Sequence, residues 1–378
     1  MGKGHGGWTE DPREALRVRP GFSLDEFDRG AKPGFHGKKS DGKALGKYRG
    51  ALLSELQERL FAEGRIGGKR SVLCVVQGLD TAGKGGVTRH VMSMVDPQGV
   101  ALHSFGPPTE EELEHHFLWR IRGALPRPGL IGVFDRSHYE DVLVVRVDDL
   151  APRNVWERRY DEINGFEKDL VDSGTIVLKF ALMVSKDEQG VRLMDRLDRP
   201  DKRWKFSRND VRTRGRWDAY QQAYQAVFER TSTDWAPWYV IPADHKWYSR
   251  TAITEILTQT MIDMDLGWPE PDWDPFGMRE ELAVEMSSRA LKTSLSDTVD
   301  NVESAIAEDA AVQREEVAVQ VEDGDIDDAP ARAEERATLA EVKAQRAERL
   351  AELMRTRQQK ERLVEQARAR ETHGRGGE

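Results

Sequence analysis

The stretch VLCVVQGLDTAGKGG, residues 72–86, decides how the rest of the chain is read. Its first half is a short, continuous apolar run of the kind that forms a buried strand. Gly78, Gly83 and Lys84 then fit G-x-x-x-x-G-K, and the sequence beyond, VTRHVMSMV, reads as a helix running to about Val95. A glycine turn between strand and helix presents backbone N–H groups at a helix N-terminus, a concave and positively polarised place for phosphate. Lys84 adds a full charge for phosphoryl oxygens. The bland alternative is a glycine-rich turn carrying an ordinary surface lysine. The strand before, the helix after and the acids considered next weigh against it.

Two residues depart from an ordinary phosphate loop. Asp80 lies inside the turn, where a carboxylate would repel phosphate unless a divalent cation sat between them. Gly85 stands where an ATPase loop carries the Ser or Thr that binds magnesium. Mg²⁺ takes oxygen ligands, commonly one or two carboxylates together with substrate phosphates. Asp80 is therefore expected to take over the metal-organising task that residue 85 lacks. A second acid, Asp135, ends the apolar run LIGVFD at the carboxyl edge of the expected sheet, where open α/β folds bind ligands. Arg136 follows it. At an ordinary strand end this Asp-Arg is a solvated pair; behind a phosphate loop it reads as a metal ligand and a charge-neutralising guanidinium.

Short apolar strands (71–77, 100–105, 130–135, 175–182, and one ending near Pro242) alternate with helical patterns. This alternation predicts a parallel central sheet covered on both faces, a three-layer α/β/α core over 46–268. A helix is expected from Lys47 to Glu63, and another from a capping box at Thr109 and Glu112 through HHFLWRIRGAL. Residues 153–172 read as helix, as does TAITEILTQTMIDM. Residues 1–45 read as an extended arm.

Residues 192–216 hold ten Lys or Arg against four acids. Arg192, Arg196, Arg199 and Arg203 recur at helical spacing and share a face. Alone, this would be a solvated basic helix. After a phosphate loop it resembles a lid, about 186–230, that closes its bases over transferring phosphates. His103, His138 and His245 have no metal-ligand spacing among them and read as structural or substrate-adjacent. Trp217, Trp235, Trp238 and Trp247 read as packing residues.

The chain has 378 residues, a net charge of −10 and one cysteine, Cys74, inside the apolar run. A lone thiol makes no internal disulfide or thiolate cluster, and burial is its expected role. The acidic balance disfavours general attraction to nucleic acid. No apolar run is long enough to span a bilayer, and the glycine-rich, charged N-terminus lacks the apolar core of a secretory signal. A cytoplasmic protein is expected. Residues 269–378 form a charged extension, partly disordered or helical. Between Asn301 and Asp328 ten acids face one base, Arg314, which reads as an acidic linker. From Arg332 to Arg370 a charged helix is expected, with Leu339, Val342, Leu350 and Leu353 at helical spacings; a partner-binding or self-associating helix is the sharper alternative.

The motifs GLDTAGKGG (78–86), PPTEEELEHHFLWR (107–120), FDRSHYEDVLVVRV (134–147), RPDKRWKFS (199–207) and TSTDWAPWYVIPADHKWYSR (231–250) together resemble the polyphosphate kinase 2 family over residues 15–268. The resemblance implies a P-loop kinase fold with a helical lid. It also implies Mg²⁺-dependent phosphoryl transfer, with Mn²⁺ as a substitute, between inorganic polyphosphate and a nucleoside mono- or diphosphate. By position, Asp80 and Asp135 would hold the metal, and Lys84 and Arg136 the phosphates. Gly78, Gly83, Gly85, Gly86, Ser137, Glu140 and Arg120 would contact phosphate or nucleotide, with Arg196, Arg199, Lys202 and Lys205 as lid bases. Many members carry Asp after the loop lysine, where this chain has Gly85. SHYEDVLVVRV resembles the branch acting on both AMP and ADP, and Glu140 stands where diphosphate-restricted branches tend to have Asn. A homo-oligomer, dimer or tetramer, is implied. Two other readings remain open: an ATP-dependent nucleotide kinase, against which Gly85 and the long basic lid count, and a non-enzymatic polyanion-binding scaffold.

Overall fold

The segment read as an extended arm is folded onto the domain behind it. In the computed structural model, which describes residues 7–322 and 329–374 with side chains over 7–307 and 347–370, strand β1 (Gly7–Trp8) pairs antiparallel with β2 (Phe35–His36). A single turn, α1 (Pro12–Ala15), is capped by Asp11 between them. Residues 16–18 then add to a sheet edge: Val18 N donates to Trp238 O at 2.8 Å, and Val240 N to Leu16 O at 2.9 Å. Leu16, Leu24 and Phe35 are buried. An exposed strand edge invites pairing, and the arm covers this one.

Helix α2 runs from Lys39 to Arg65, eight residues earlier than its apolar spacing predicts. Gly42 explains the difference. A Cβ there would collide with the Trp247 ring, so glycine inside the helix permits close packing against the C-terminal helix of the domain. Strand β3 (Ser71–Gln77) follows. Helix α3 (Lys84–His90) ends sooner than expected and tightens into a 3₁₀ turn at Met92–Met94. Pro97 disfavours helical backbone at Asp96, and the chain turns before it.

Next come β4 (Val100–Ser104) and two short helices, α4 (Glu110–Glu114) and α5 (Trp119–Gly123). The capping box of Thr109 and Glu112 forms, but the single helix expected after it is broken at His115, which is extended. The break buries Leu118 and Ile121 and brings Arg120 Nη1 to Gly106 O at 3.0 Å. Then follow β5 (Ile131–Asp135), α6 (Val144–Val147), α7 (Arg153–Asp172), β6 (Thr175–Met183), α8 (Lys186–Asp198), α9 (Arg208–Gly215), α10 (Trp217–Thr231), β7 (Trp238–Pro242) and α11 (Lys246–Ile262).

The sheet order is β4-β5-β3-β6-β7, and all neighbours pair in parallel. Alternation along β3 builds both layers. Val72, Cys74 and Val76 pack with Leu53, Leu60, Ile253 and Leu257 on one face. Leu73 and Val75 pack with Phe134, Tyr160, Ile163 and Val227 on the other. Each fully buried Val or Leu contributes about 1.5–3 kcal/mol, so a strand buried on both faces anchors the loop at its end. Trp217 and Trp238 are buried, Trp247 packs against the core, and Trp235 departs from expectation by being exposed. Cys74 is buried and free.

The chain divides after Pro269. In the second unit the acidic stretch expected as a linker is helical as far as Glu322: α12 (Pro275–Val284), α13 (Ser288–Glu322) and α14 (Ala329–Gly374). Residues 323–328 and the side chains of Leu339 and Val342 lie outside the described residues. Ala283, Leu291, Leu363, Val364 and Ala367 form a small core. Lys360 Nζ bonds Ser294 Oγ at 2.7 Å and Thr298 Oγ1 at 2.8 Å, giving the charged helix a partner within its own chain. Among the described residues no helix is long and apolar enough to cross a membrane.

Candidate active site

The site forms where β3 and β5 end side by side. Beyond β3, the turn takes left-handed backbone at Gly78 (φ 153°), Thr81 (φ 64°) and Gly83 (φ 125°). Gly78 is required on a second count, because a Cβ there would lie 2.7 Å from Leu182 O. Lys84 opens α3 and folds back over the turn, with Nζ 2.5 Å from Gly78 O and 3.4 Å from Leu79 O. Burial lowers its pKa, and Arg136 adds to the effect against the opposing charges of Asp80, Asp135 and Glu140. A Cβ at Gly85 would meet open space. Packing therefore does not exclude a hydroxyl at that position.

Asp135 ends β5 in register with Val76 of β3 and Ser104 of β4. Arg136 turns away from the strand with left-handed backbone (φ 66°), its N–H held by Val76 O at 3.1 Å. Its guanidinium lies between two acids, 3.3 Å from Asp80 Oδ1 and 3.4 Å from Glu140 Oε2. Burial opposes its charge, yet Glu140 and Asp80 prevail and raise its pKa.

Two clefts meet at this pair. One, of about 720 Å³, is mostly apolar, walled by Leu79, Phe105, Leu143, Val144, Tyr220 and Tyr224, with Arg120 and Glu140 also lining it. The other, of about 650 Å³, follows residues 80–87 and Asp135 and is lined by Arg89, Arg196, Lys202, Lys205, Lys246 and Arg250. Asp80 and Arg136 line both.

Most sequence-predicted residues thus gather here: Gly78 beside the apolar cleft, and Gly83, Lys84, Gly85, Gly86, Arg196, Lys202 and Lys205 in the basic one. Two do not. Ser137 is fully buried, and its Oγ accepts from Tyr139 N at 3.2 Å, capping the turn that follows Arg136. Its Cβ direction follows from the tight turn, which a sequence motif does not reveal. Arg199 ends α8, pairs with Asp201 at 2.8 Å and borders neither cleft. Pro200 ends the helical spacing there, so the shared basic face breaks up. Arg203 likewise donates to Leu197 O at 2.7 Å. Sequence reasoning missed Arg89, Lys246 and Arg250; the position of the last two just after β7, at the carboxyl edge of the sheet, was the available signal.

Behind the turn lies a buried charged group. Lys179 Nζ bonds Glu167 Oε2 at 2.6 Å, Thr231 O at 2.7 Å and Tyr139 Oη at 3.0 Å. His138 Nε2 lies 3.2 Å from Glu167 Oε1, a structural position. With its amide oriented to satisfy both neighbours, Gln77 donates to Glu140 Oε1 at 3.0 Å and accepts from Ser137 N at 3.1 Å. No group of three or more His, Cys, Asp or Glu placed to hold a metal occurs among the described residues.

A parallel sheet whose first buried strand ends in a phosphate loop, next to a strand ending in Asp-Arg, defines a P-loop phosphotransferase fold. The family described as polyphosphate kinase 2 (PPK2) matches residues 37–267, and the chain belongs to it. It is 46% identical over 258 residues to the AMP/ADP-polyphosphate phosphotransferase of Meiothermus ruber, covering 68% of this chain and 95% of that protein. To the ADP-polyphosphate phosphotransferase of Rhodopseudomonas palustris it is 42% identical, over 58% of this chain and 78% of that one. The crystal structure of polyphosphate kinase 2 from Arthrobacter aurescens TC1 superposes with a TM-score of 0.72 at 48% identity, covering 74% of this chain and 99% of that one.

Proposed function

We propose that the protein transfers phosphoryl groups from inorganic polyphosphate to AMP and ADP, reversibly and with Mg²⁺. The observation that carries this reading is the junction of an apolar cleft and a basic one at Asp80 and Arg136. An apolar cleft with a few polar groups suits a nucleotide; a groove of lysines and arginines suits a chain of phosphates. The names of the relatives, one of them acting on both AMP and ADP, support the same substrates.

In this reading, an oxygen of the nucleotide phosphate attacks the terminal phosphorus of polyphosphate. One anhydride bond forms as another breaks, and the donor leaves one phosphate shorter. Little acid–base work is needed, so positioning and charge neutralisation carry the rate. Arg136 stands between the clefts, where charge develops on the transferring group. Lys84 and the loop N–H groups hold the donor end, while Arg196, Lys202 and Lys205 line the path behind it. Glu140 lies on the acceptor side.

The donor set fits Mg²⁺, or Mn²⁺ in its place: Asp80 and Asp135 are hard oxygen ligands bordering the same cleft, and phosphate and water would complete the shell. When bound, the ion neutralises phosphoryl charge and permits a carboxylate beside phosphate. A cytoplasmic location and a homo-oligomeric assembly belong to the same proposal. The test offers AMP, ADP and GDP separately with polyphosphate and Mg²⁺, and with ATP as alternative donor. ADP and ATP made from AMP and polyphosphate are expected. Product only with ATP as donor makes the protein an ATP-dependent kinase, and polyanion binding without any product makes it a scaffold.

A further inference from the structure

Arg192 has the helical spacing of the lid bases and borders the basic cleft, yet its N–H groups are taken up by oxygens of the protein itself. It is buried on α8, and its guanidinium donates to five oxygens. Nη1 bonds Thr81 O at 3.0 Å and Ala82 O at 3.3 Å. Nη2 bonds Ala243 O at 2.7 Å and Asp244 O at 2.9 Å, and Nε bonds Glu188 Oε1 at 2.7 Å. Five N–H donors is the full complement of the group. One turn earlier, the fully buried Gln189 donates from Nε2 to Asp80 O at 3.3 Å. Three successive carbonyls of the glycine turn, at residues 80, 81 and 82, are thus gripped from one helix.

The middle one belongs to Thr81, a β-branched residue with left-handed backbone (φ 64°). Such a conformation persists only where surrounding contacts enforce it. A trans peptide points its carbonyl and the next N–H in opposite directions. Drawing the carbonyls of Asp80 and Ala82 toward α8 therefore turns the N–H groups of Thr81 and Gly83 to the other side of the turn.

We propose that Arg192 is a positioning residue that, with Gln189, clamps the carbonyls of residues 80–82 in their strained arrangement, so that the loop amides and the Asp80 carboxylate are preset for the donor. The proposal rests on the reading of this loop as the phosphoryl-donor site. Arg192 also bolts α8 to the β7–α11 turn, where Asp244 Oδ1 accepts from Ser185 N at 2.7 Å. Gripped by both loops, the N-terminal half of α8 belongs to the scaffold.

The test compares wild type with Arg192→Met and Arg192→Lys, the latter keeping the charge but not the two-pronged geometry. The first readout is amide hydrogen exchange of the ligand-free protein. Exchange in a peptide spanning 78–86 is expected to rise about tenfold or more, with β5 unchanged. The second readout is turnover: kcat falls about 100-fold, as for a misplaced reacting group, while KM for AMP stays within about twofold. Arg192→Lys should resemble Arg192→Met. If Arg192→Met does not fold, Gln189→Met, which frees the Asp80 carbonyl and, away from the loop, one N–H of Arg214, carries the same comparison. Unchanged exchange in 78–86 overturns the proposal, whatever the activity, and so does faster exchange with wild-type kcat. Should wild type itself transfer nothing from polyphosphate, the functional reading fails, while the exchange comparison still decides the clamp.

Discussion

Arg136 Nη2 lies 3.3 Å from Asp80 Oδ1, and among the described residues these two alone line both the apolar and the basic cleft. The pair joins the end of one strand to the turn after its neighbour. Each side chain stands where the two clefts meet.

Replacing either should separate catalysis from stability. Asp80→Asn and Arg136→Met are each expected to lower kcat by about 10²–10³, the usual loss when one transition-state contact goes. The guanidinium is 40% exposed, and such a pair adds only about 0–1 kcal/mol to the fold. Steady-state kinetics alongside thermal unfolding checks both; near-normal turnover in the two variants removes them from the mechanism.

Gly85→Ser tests the division of labour inside the loop. Open space surrounds the site of a Cβ there, so the variant should fold with stability within about 1 kcal/mol of wild type. If Asp80 has taken over metal organisation, the serine alone changes the Mg²⁺ half-saturation little. In an Asp80→Asn background, however, it should restore part of the lost activity. No recovery in the double variant would show that the two positions do not exchange roles.

Lys84 sets an alkaline limit. Burial lowers its pKa, so on raising pH its ammonium is lost below the ordinary 10.5. If the charged form neutralises phosphate as proposed, kcat/KM for polyphosphate should decline at a pH below 10.5. For stability the sign is reversed: the fold disfavours the charged lysine, and that cost lifts as pH rises through the lowered pKa. Lys84→Met should therefore abolish transfer without lowering the melting temperature at neutral pH.

Lys179 and Glu167, 2.6 Å apart and fully buried, make a stability prediction. Lys179→Met leaves a buried carboxylate without its ammonium partner and should cost about 3–5 kcal/mol, whereas removing both charges should recover most of that loss. Burial pushes the Glu167 pKa up, but Lys179 and His138 outweigh it and hold the pKa below the usual 4.5. Its contribution is therefore present above pH 4.5 and lost as acid protonates it. Denaturant titration across pH 3–7 reads this as a slope absent from the double variant.

Glu140 lines the apolar cleft, proposed above for the acceptor, and is bonded to Arg136. Glu140→Asn should raise KM for AMP more than for ADP. Initial rates with each acceptor decide it, and an equal change for both would make the residue a general support of Arg136.

Sheet and loop were legible because their signals are local. An apolar run of strand length, glycines at fixed spacing and an acid closing a second apolar run each act over a few residues, and Asp80, Lys84, Asp135 and Arg136 gather as their positions imply. What was misread depended on contacts distant in sequence. Gly42 sits inside a helix because Trp247, two hundred residues later, needs the space. The arm folds back because β7 offers it an edge. Arg192 and Arg199 share a spacing, yet one grips backbone carbonyls and the other pairs with Asp201.

By itself, the sequence determined that a phosphate loop follows a buried strand, with an acid at residue 80 and glycine at residue 85. Only the tertiary structure decided which bases face the turn, that Ser137 lies inside, and that an apolar cleft and a basic one share Asp80 and Arg136. The reason is physical: backbone conformation and burial period are set by neighbours along the chain, whereas a side chain's task depends on which distant groups the packing brings within reach.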